Sequence, residues 1–273
     1  MPVSTTRRSE PQGRLLYALA AVLFWLLAWQ LISMLVGQEL LVPAPALVLG
    51  RLAELLGTAE FWVVTGWSLL RIALGFIAGV LVGCLAAMLT TRFRAADVLL
   101  SPVLRVVRAA PVASFIILAL VWLPTGRLPA FIAFAMVVPV VWDNMVQGMR
   151  AQDRELLEMA AVFRFGWWQT LRRIRIPSLL PFFAAAVATG MGLAWKSGIA
   201  AEVISRPDLS IGGELQDAKL HLDTPAVFAW TITAVALSLV LEQLLRRWLA
   251  RWQRRPSRPG VPVAGERGED AGL

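Results

Sequence analysis

Gly190 to Ser197 reads GMGLAWKS, the spacing of the phosphate-binding loop G-x4-G-K-[ST], except that Trp195 stands where the second glycine belongs. In such a loop successive backbone N–H groups wrap a polyphosphate, and that glycine makes room for the wrap. An indole obstructs it, and the stretch lies inside an apolar run instead of after a soluble strand. Nucleotide chemistry is thereby excluded here. What remains is Lys196, an ammonium within GLAWKSGIAAEVI, with Glu202 six residues on. Ionisable groups at membrane depth cost about 2.5–3.5 kcal/mol on insertion scales and face a cavity or a partner. Six residues turn about 240° around an ideal helix, so Lys196 and Glu202 share a face only if Gly198 breaks it. Asp143 and Asn144 are further polar candidates within an apolar run. Two readings stay open. Lys196, with Trp195 and Ser197, lines a passage for an anionic solute, or Lys196 pairs with a carboxylate of a neighbouring helix and fixes packing. Asp143, close to one end of its run, leans towards a structural or gating role. His221 is the single histidine and Cys84 the single cysteine, so a zinc site lacks ligands, a Ser–His triad has no support, and no intramolecular disulfide forms.

The elements that must position these groups are membrane spans. Of 273 residues, 58% are hydrophobic and 16% charged, against roughly 25% charged in a soluble domain. Runs of about 18 or more apolar residues are long enough to cross about 30 Å of hydrocarbon. Five are clear: Leu15 to Val36, Ile72 to Thr90, Leu128 to Val146, Leu179 to Ile204 and Ala226 to Leu245. A sixth and shorter one, third in order, runs from Ala109 to Leu123 with Pro111 inside it, its inner end extended by snorkelling Arg105 and Arg108. The net charge of +8 does not point to nucleic acid, because the arginines gather at the ends of these runs. Six crossings put three basic residues of the N-terminal segment, Arg92 to Arg108, Arg150 to Arg175 and the C-terminal arginines on one side, which holds 20 of the 26 basic residues. Cytoplasmic loops accumulate positive charge, so both termini are placed in the cytoplasm. Trp62, Trp67 and Trp122 fall at outer ends, and Trp142, Trp167, Trp168, Trp248 and Trp252 at inner ones, where indoles favour the headgroup region. The expected organisation is a tail over 1–14, a membrane domain over 15–250 and a disordered tail over 251–273. Arg7-Arg8 imitates an export signal, but a retained first span with a positive flank fits better.

Between the spans, Val42 to Leu56 reads as an amphipathic helix on the outer surface. Gly75, Gly79 and Gly83 repeat every fourth residue in the second span, a ridge of small residues that lets another helix approach. Ala201 to Thr224 carries five carboxylates against Arg206 and Lys219. It reads as a solvated outer loop or as a docking surface, with Gly212-Gly213 breaking the chain before a short helix over Glu214 to Leu222.

The segment LLEMAAVFRFGWWQTLRRIRIPSLLP, Leu156 to Pro181, carries four arginines between two apolar runs. Leu156, Met159, Ala160 and Phe163 recur at helical spacing, as do Trp167, Trp168, Leu171 and Ile174. The pattern predicts two short amphipathic helices, with Gly166 supplying the bend and Pro177 ending the second. In this segment the chain resembles permease subunits of ATP-binding-cassette importers, whose motif is E-A-A-x3-G-x9-I-x-L-P. Glu158, Met159, Ala160, Arg164, Ile174, Ile176 and Pro177 fall in that register. Met159 replaces an alanine, Ile176 the leucine, and Arg164 the glycine. The likeness covers about 240 residues and is nearest to the branch associated with nitrate, sulfonate and taurine.

The resemblance implies an all-α membrane protein, a six-span type I importer permease (MetI-like) with a cytoplasmic coupling helix pair in a loop over 150–177. Glu158, Ala160, Phe163, Arg164, Gly166, Leu171, Ile174 and Pro177 would then seat in a groove on a separate ATPase, two copies of which hydrolyse the ATP. A second permease copy, an extracytoplasmic binding protein and membrane lipid complete the expected partners. This chain itself would bind no cofactor, and it is expected to be no enzyme. Lys196, Trp195, Ser197, Glu202, Asp143 and Asn144 would belong to the passage. The rival reading is a secondary transporter with Lys196, Glu202 and Asp143 as a proton relay, and a further one is a membrane anchor that transports nothing.

Overall fold

The computed structural model describes residues 11–253, and every regular element among them is helical. In chain order these are α1 (Pro11–Val36), α2 (Pro45–Leu56), α3 (Ala59–Arg92), α4 (Arg94–Ala109), α5 (Val112–Leu120), α6 (Leu128–Arg150), α7 (Arg154–Val162), α8 (Trp167–Thr170), a π turn (Leu171–Arg175), α9 (Ile176–Ser205), α10 (Ile211–Leu220) and α11 (Thr224–Gln253). Five stretches are long and apolar enough to cross a membrane: α1, α3, α6, the continuous helix Trp167–Ser205, and α11. The tails over 1–10 and 254–273, with Arg7 and Arg8, lie outside the described residues.

The third crossing is not a straight helix. Pro111 stands between α4 and α5, which meet at 107°, and Ala110 before it is extended at ψ 134°, the conformation a following proline favours. The nine residues of α5 rise only about 14 Å, so a crossing here needs both halves of the bent pair. The second span is longer than its apolar run, because α3 begins at Ala59, capped by the Thr58 hydroxyl that accepts from Phe61 N.

α3, α6 and α9 form the core. The glycine ridge of α3 faces α6 so closely that a Cβ on Gly75 would lie 2.1 Å from Ala130 O, and one on Gly79 would lie 2.7 Å from Val137 Cβ. Gly83 meets Val141 in the same way. Backbone thus packs on side chain with no intervening layer. Trp142 belongs to this seam and is no headgroup anchor: it is buried, and its indole donates to Thr90 Oγ1 at 2.9 Å. Across the α6–α9 seam Gly148 lies under the Phe182 ring, and on α9 Gly198 receives Ile72 of α3. α2 buries Pro45 and Val48, and Arg51 ties it to Asp223 at the start of α11. By contrast α1 is apolar on all sides and exposed along most of its length, as a helix facing lipid is. Trp29 stacks on Phe228 of α11 with ring centroids 5.7 Å apart.

Candidate functional site

The arginine-rich end carries a bent handle. Asp153 caps α7, its carboxylate accepting from Glu155 N at 2.9 Å. The helix stops in a paired closure: Phe165 N donates to Ala160 O at 2.8 Å and Arg164 N to Ala161 O at 3.0 Å. That closure needs a left-handed residue between its two bonds, and Arg164 fills the position at φ 51°. The expectation that Gly166 makes the bend is therefore corrected. Gly166 is extended at φ −62°, ψ 156° and precedes α8, while the residue at the motif's glycine position supplies the glycine geometry without being glycine.

Pro177 does not end the second helix either. Proline inside a helix removes one backbone hydrogen bond, and a local π adjustment accommodates that loss; here Pro177 follows directly on the π turn Leu171–Arg175. The chain passes from α8 through the π turn into α9 without leaving helical backbone, giving 39 residues from Trp167 to Ser205. At 1.5 Å per residue this rod is about 58 Å long. Ala160 is buried, whereas Met159, Val162, Phe163, Trp167 and Trp168 are exposed. Glu158 and Arg164 are exposed as well, and Leu171 and Ile174 half-buried. The handle thus offers an apolar face with charges around it.

The polar residues inside the bundle do not converge. Gly190 to Ser197 lies within unbroken α9, so its N–H groups wrap nothing. Trp195 is buried and donates from Nε1 to Ala234 O of α11 at 2.9 Å. Ser197 is also buried and bonds back to Ala194 O. Lys196 is exposed and lines a groove of about 430 Å³ between α9 and α11, together with Thr231, Ser238 and Glu242. Glu242, a carboxylate inside the last apolar run, went unremarked in the sequence. Its Oε1 lies 3.1 Å from where a Cβ on Gly192 would stand, one turn from Lys196 on the same helix. Asp143 pairs with Arg108 of α4 at 2.5 Å and accepts from Gln147 Nε2, joining α6 to the bent pair. Asn144 donates to Val140 O of its own helix. No hydrogen bond or ion pair among the described residues joins any two of Lys196, Glu202 and Asp143.

Glu202 sits at the other end of α9 and is fully buried. Its Oε2 accepts from Ser68 Oγ of α3 at 2.8 Å and from Gly212 N of α10 at 3.2 Å. Ser68 Oγ in turn accepts from Ile211 N at 2.9 Å. Arg71, 3.8 Å from Glu202 Oε1, donates to the carbonyls of Asp208 and Leu209 at 2.7 and 3.0 Å. The turn between α9 and α10 uses left-handed Arg206 and Leu209. Gly212 and Gly213 do not break the chain: they form the first turn of α10, whose cap Ser210 accepts from Gly213 N at 3.0 Å. Above this clamp lies a polar cavity of about 550 Å³ lined by Glu60, Arg206, Asp208, Glu214 and Asp217. Burial, and then the nearby Glu60 and Asp217 charges, raise the Glu214 carboxyl above its ordinary value. Long-range partners such as Ser68 and Arg71 leave no local pattern in a sequence.

Comparison with known proteins gives one family. Residues 79–255 match the model of the "Binding-protein-dependent transport system inner membrane component". The chain is 30% identical to the riboflavin transport system permease protein RibX of Chloroflexus aurantiacus, over 84% of this chain and 87% of the relative. It is 26% identical to the putative aliphatic sulfonates transport permease protein SsuC of Bacillus subtilis, over 82% and 83%. Its fold resembles that of a bacterial ABC transporter involved in the import of the acidic polysaccharide alginate, with a TM-score of 0.57 at 16% identity, covering 88% of this chain and 96% of the other.

Proposed function

The chain belongs to the binding-protein-dependent transport system inner membrane component family; it is a multi-pass permease subunit of an ABC importer, and from that premise we propose how it works. Two ATPase subunits bind ATP and close, and the closure pulls on the handle Glu158 to Pro177 from the cytoplasmic side. The pull passes through the π turn into α9 and alternates the opening of a pathway built by two permease copies around a solute delivered by the extracytoplasmic binding protein. This chain binds no nucleotide and no other cofactor. Both termini are cytoplasmic, following the arginine distribution.

The observation that carries the reading is the unbroken helix from Trp167 to Ser205, which joins an exposed apolar handle directly to the core span. Such a face fills a hydrophobic groove, and the surrounding arginines meet acidic rims and reject wrong partners. Lys196, with Trp195 and Ser197 behind it, favours a small anion such as nitrate, a sulfonate or taurine. The sulfonate relative agrees with that class, and a "Bicarbonate transport system permease protein" of Synechococcus elongatus at 26% identity extends it. The riboflavin relative makes an aromatic solute the alternative.

Arg164→Glu tests the handle. The side chain is exposed, so membrane insertion and yield stay at the wild-type level, while ATPase copurification falls by roughly tenfold, equivalent to about 1.4 kcal/mol. Copurification equal to wild type would refute the role of the handle.

A further inference from the structure

Glu202 is an expensive residue to bury, and its contacts show where that cost is spent. One oxygen, Oε2, gathers the Ser68 hydroxyl of α3 and the Gly212 amide of α10, and Ser68 adds the Ile211 amide. Both amides belong to the first turn of α10, where N–H groups have no partner within the helix. A single carboxylate on α9 therefore closes the open end of α10 and fastens it to α3. The fit is tight: a Cβ on Gly212 would lie 2.3 Å from Val203 N and 2.4 Å from Glu202 Cβ, so α10 starts directly against α9. The other oxygen, Oε1, is buried without a hydrogen-bond partner. Arg71 stands 3.8 Å from it and spends its donors on Asp208 and Leu209 carbonyls in the turn between α9 and α10.

We propose that Glu202 is a positioning residue of the transport cycle: through Ser68 and the first turn of α10 it registers the outer surface of α10 to the tilt of α9. Docking of the binding protein on that surface is then coupled to the handle at the far end of the same rod. This rests on the importer reading above. Glu202 lies one turn before the end of α9, so a tilt entering at Trp167 arrives at its carboxylate with no break between. Arg71 holds the return turn and stands beside Oε1, so α10 and the turn move with α9 as one body. The polar cavity lined by Glu60, Asp208, Glu214 and Asp217 moves with them. Glu202 is thereby placed outside the solute path.

The test uses Ser68→Ala, which removes both bonds of the hydroxyl, and Glu202→Gln, which keeps an acceptor oxygen for Ser68 and Gly212 while replacing the carboxyl by an amide. Each is made in the Cys84→Ala background with Lys219→Cys as a thiol probe on α10. Thiol labelling is read on the permease alone and on the full complex in nanodiscs, with and without a non-hydrolysable ATP analogue. Ser68→Ala is expected to label at least fivefold faster than the background in the permease alone. In the complex its labelling no longer responds to the analogue, and stimulation of ATPase by the binding protein drops at least fivefold, while basal ATPase stays within twofold. Glu202→Gln is expected to retain more than half of the stimulation. Wild-type labelling and stimulation in Ser68→Ala would overturn the proposal. Failure of the importer reading shows separately, as no ATPase copurifying with the background chain, and labelling of the permease alone still decides whether Glu202 and Ser68 hold α10.

Discussion

The two ends of the Trp167–Ser205 rod are built on opposite principles. At the Glu202 end, a carboxyl group is buried, glycine is dictated by contact, and the amides of the neighbouring helix are assigned to named acceptors. At the handle end, large apolar side chains face outward, Gly166 has no atom within 4 Å of where a Cβ would stand, and a non-glycine residue holds a left-handed backbone. One end is complete within the chain, while the other leaves large apolar side chains uncovered. On the proposed reading, stability is concentrated where the rod meets its own fold, and recognition where it leaves it.

The contrast is broken most severely by Gly212→Ala. The added methyl collides with α9 backbone, which has no flexible side chain to move aside, and overpacking or strain of this kind costs about 1–3 kcal/mol or more. Thermal unfolding of the purified permease should show a lower midpoint, and an unchanged midpoint would mean that α10 does not rest on α9 as described. Arg164→Gly sharpens the contrast at the other end. The left-handed conformation costs a non-glycine residue about 1–2 kcal/mol, partly offset by the greater freedom of unfolded glycine. The expected outcome is a gain of up to about 1 kcal/mol in the stability of the isolated permease, read by denaturant unfolding. The smallest effect is that of pH on the Glu214 face. Because the folded state raises this carboxyl, the folded form holds its proton more tightly than the unfolded one. Stability is thus greatest below the ordinary carboxylate value and falls as pH rises through the raised value. Glu214→Gln should flatten that part of the pH–stability profile, and an unchanged slope would remove Glu214 as its source.

Much of the architecture was legible because membrane spans and glycine ridges are local patterns. The five long spans follow from apolar length alone, and Gly75, Gly79 and Gly83 announce a close seam by their spacing. The bent third crossing was half legible: Pro111 marks the break, but the 107° angle depends on what packs around α4 and α5. Pro177 misled, because a proline that stops a helix and one that a preceding π turn lets the helix carry look alike in sequence. Arg164 misled in a more useful way, since the motif position, and not the residue type, carried the turn geometry. The separation of Lys196 from Glu202 was correct from helical angle. Their actual neighbours were not readable, because Glu242 lies 46 positions beyond Lys196 in the sequence and Ser68 lies 134 before Glu202. Only folding brings them near.

The glycine seam between α3 and α6 also bears on handling the protein outside a bilayer. With Ala130 carbonyl and Val137 pressed against bare backbone, there is no layer of side chains for a detergent tail to replace. The two helices should leave the membrane still locked together, and a solubilised sample that loses activity will have come apart somewhere else.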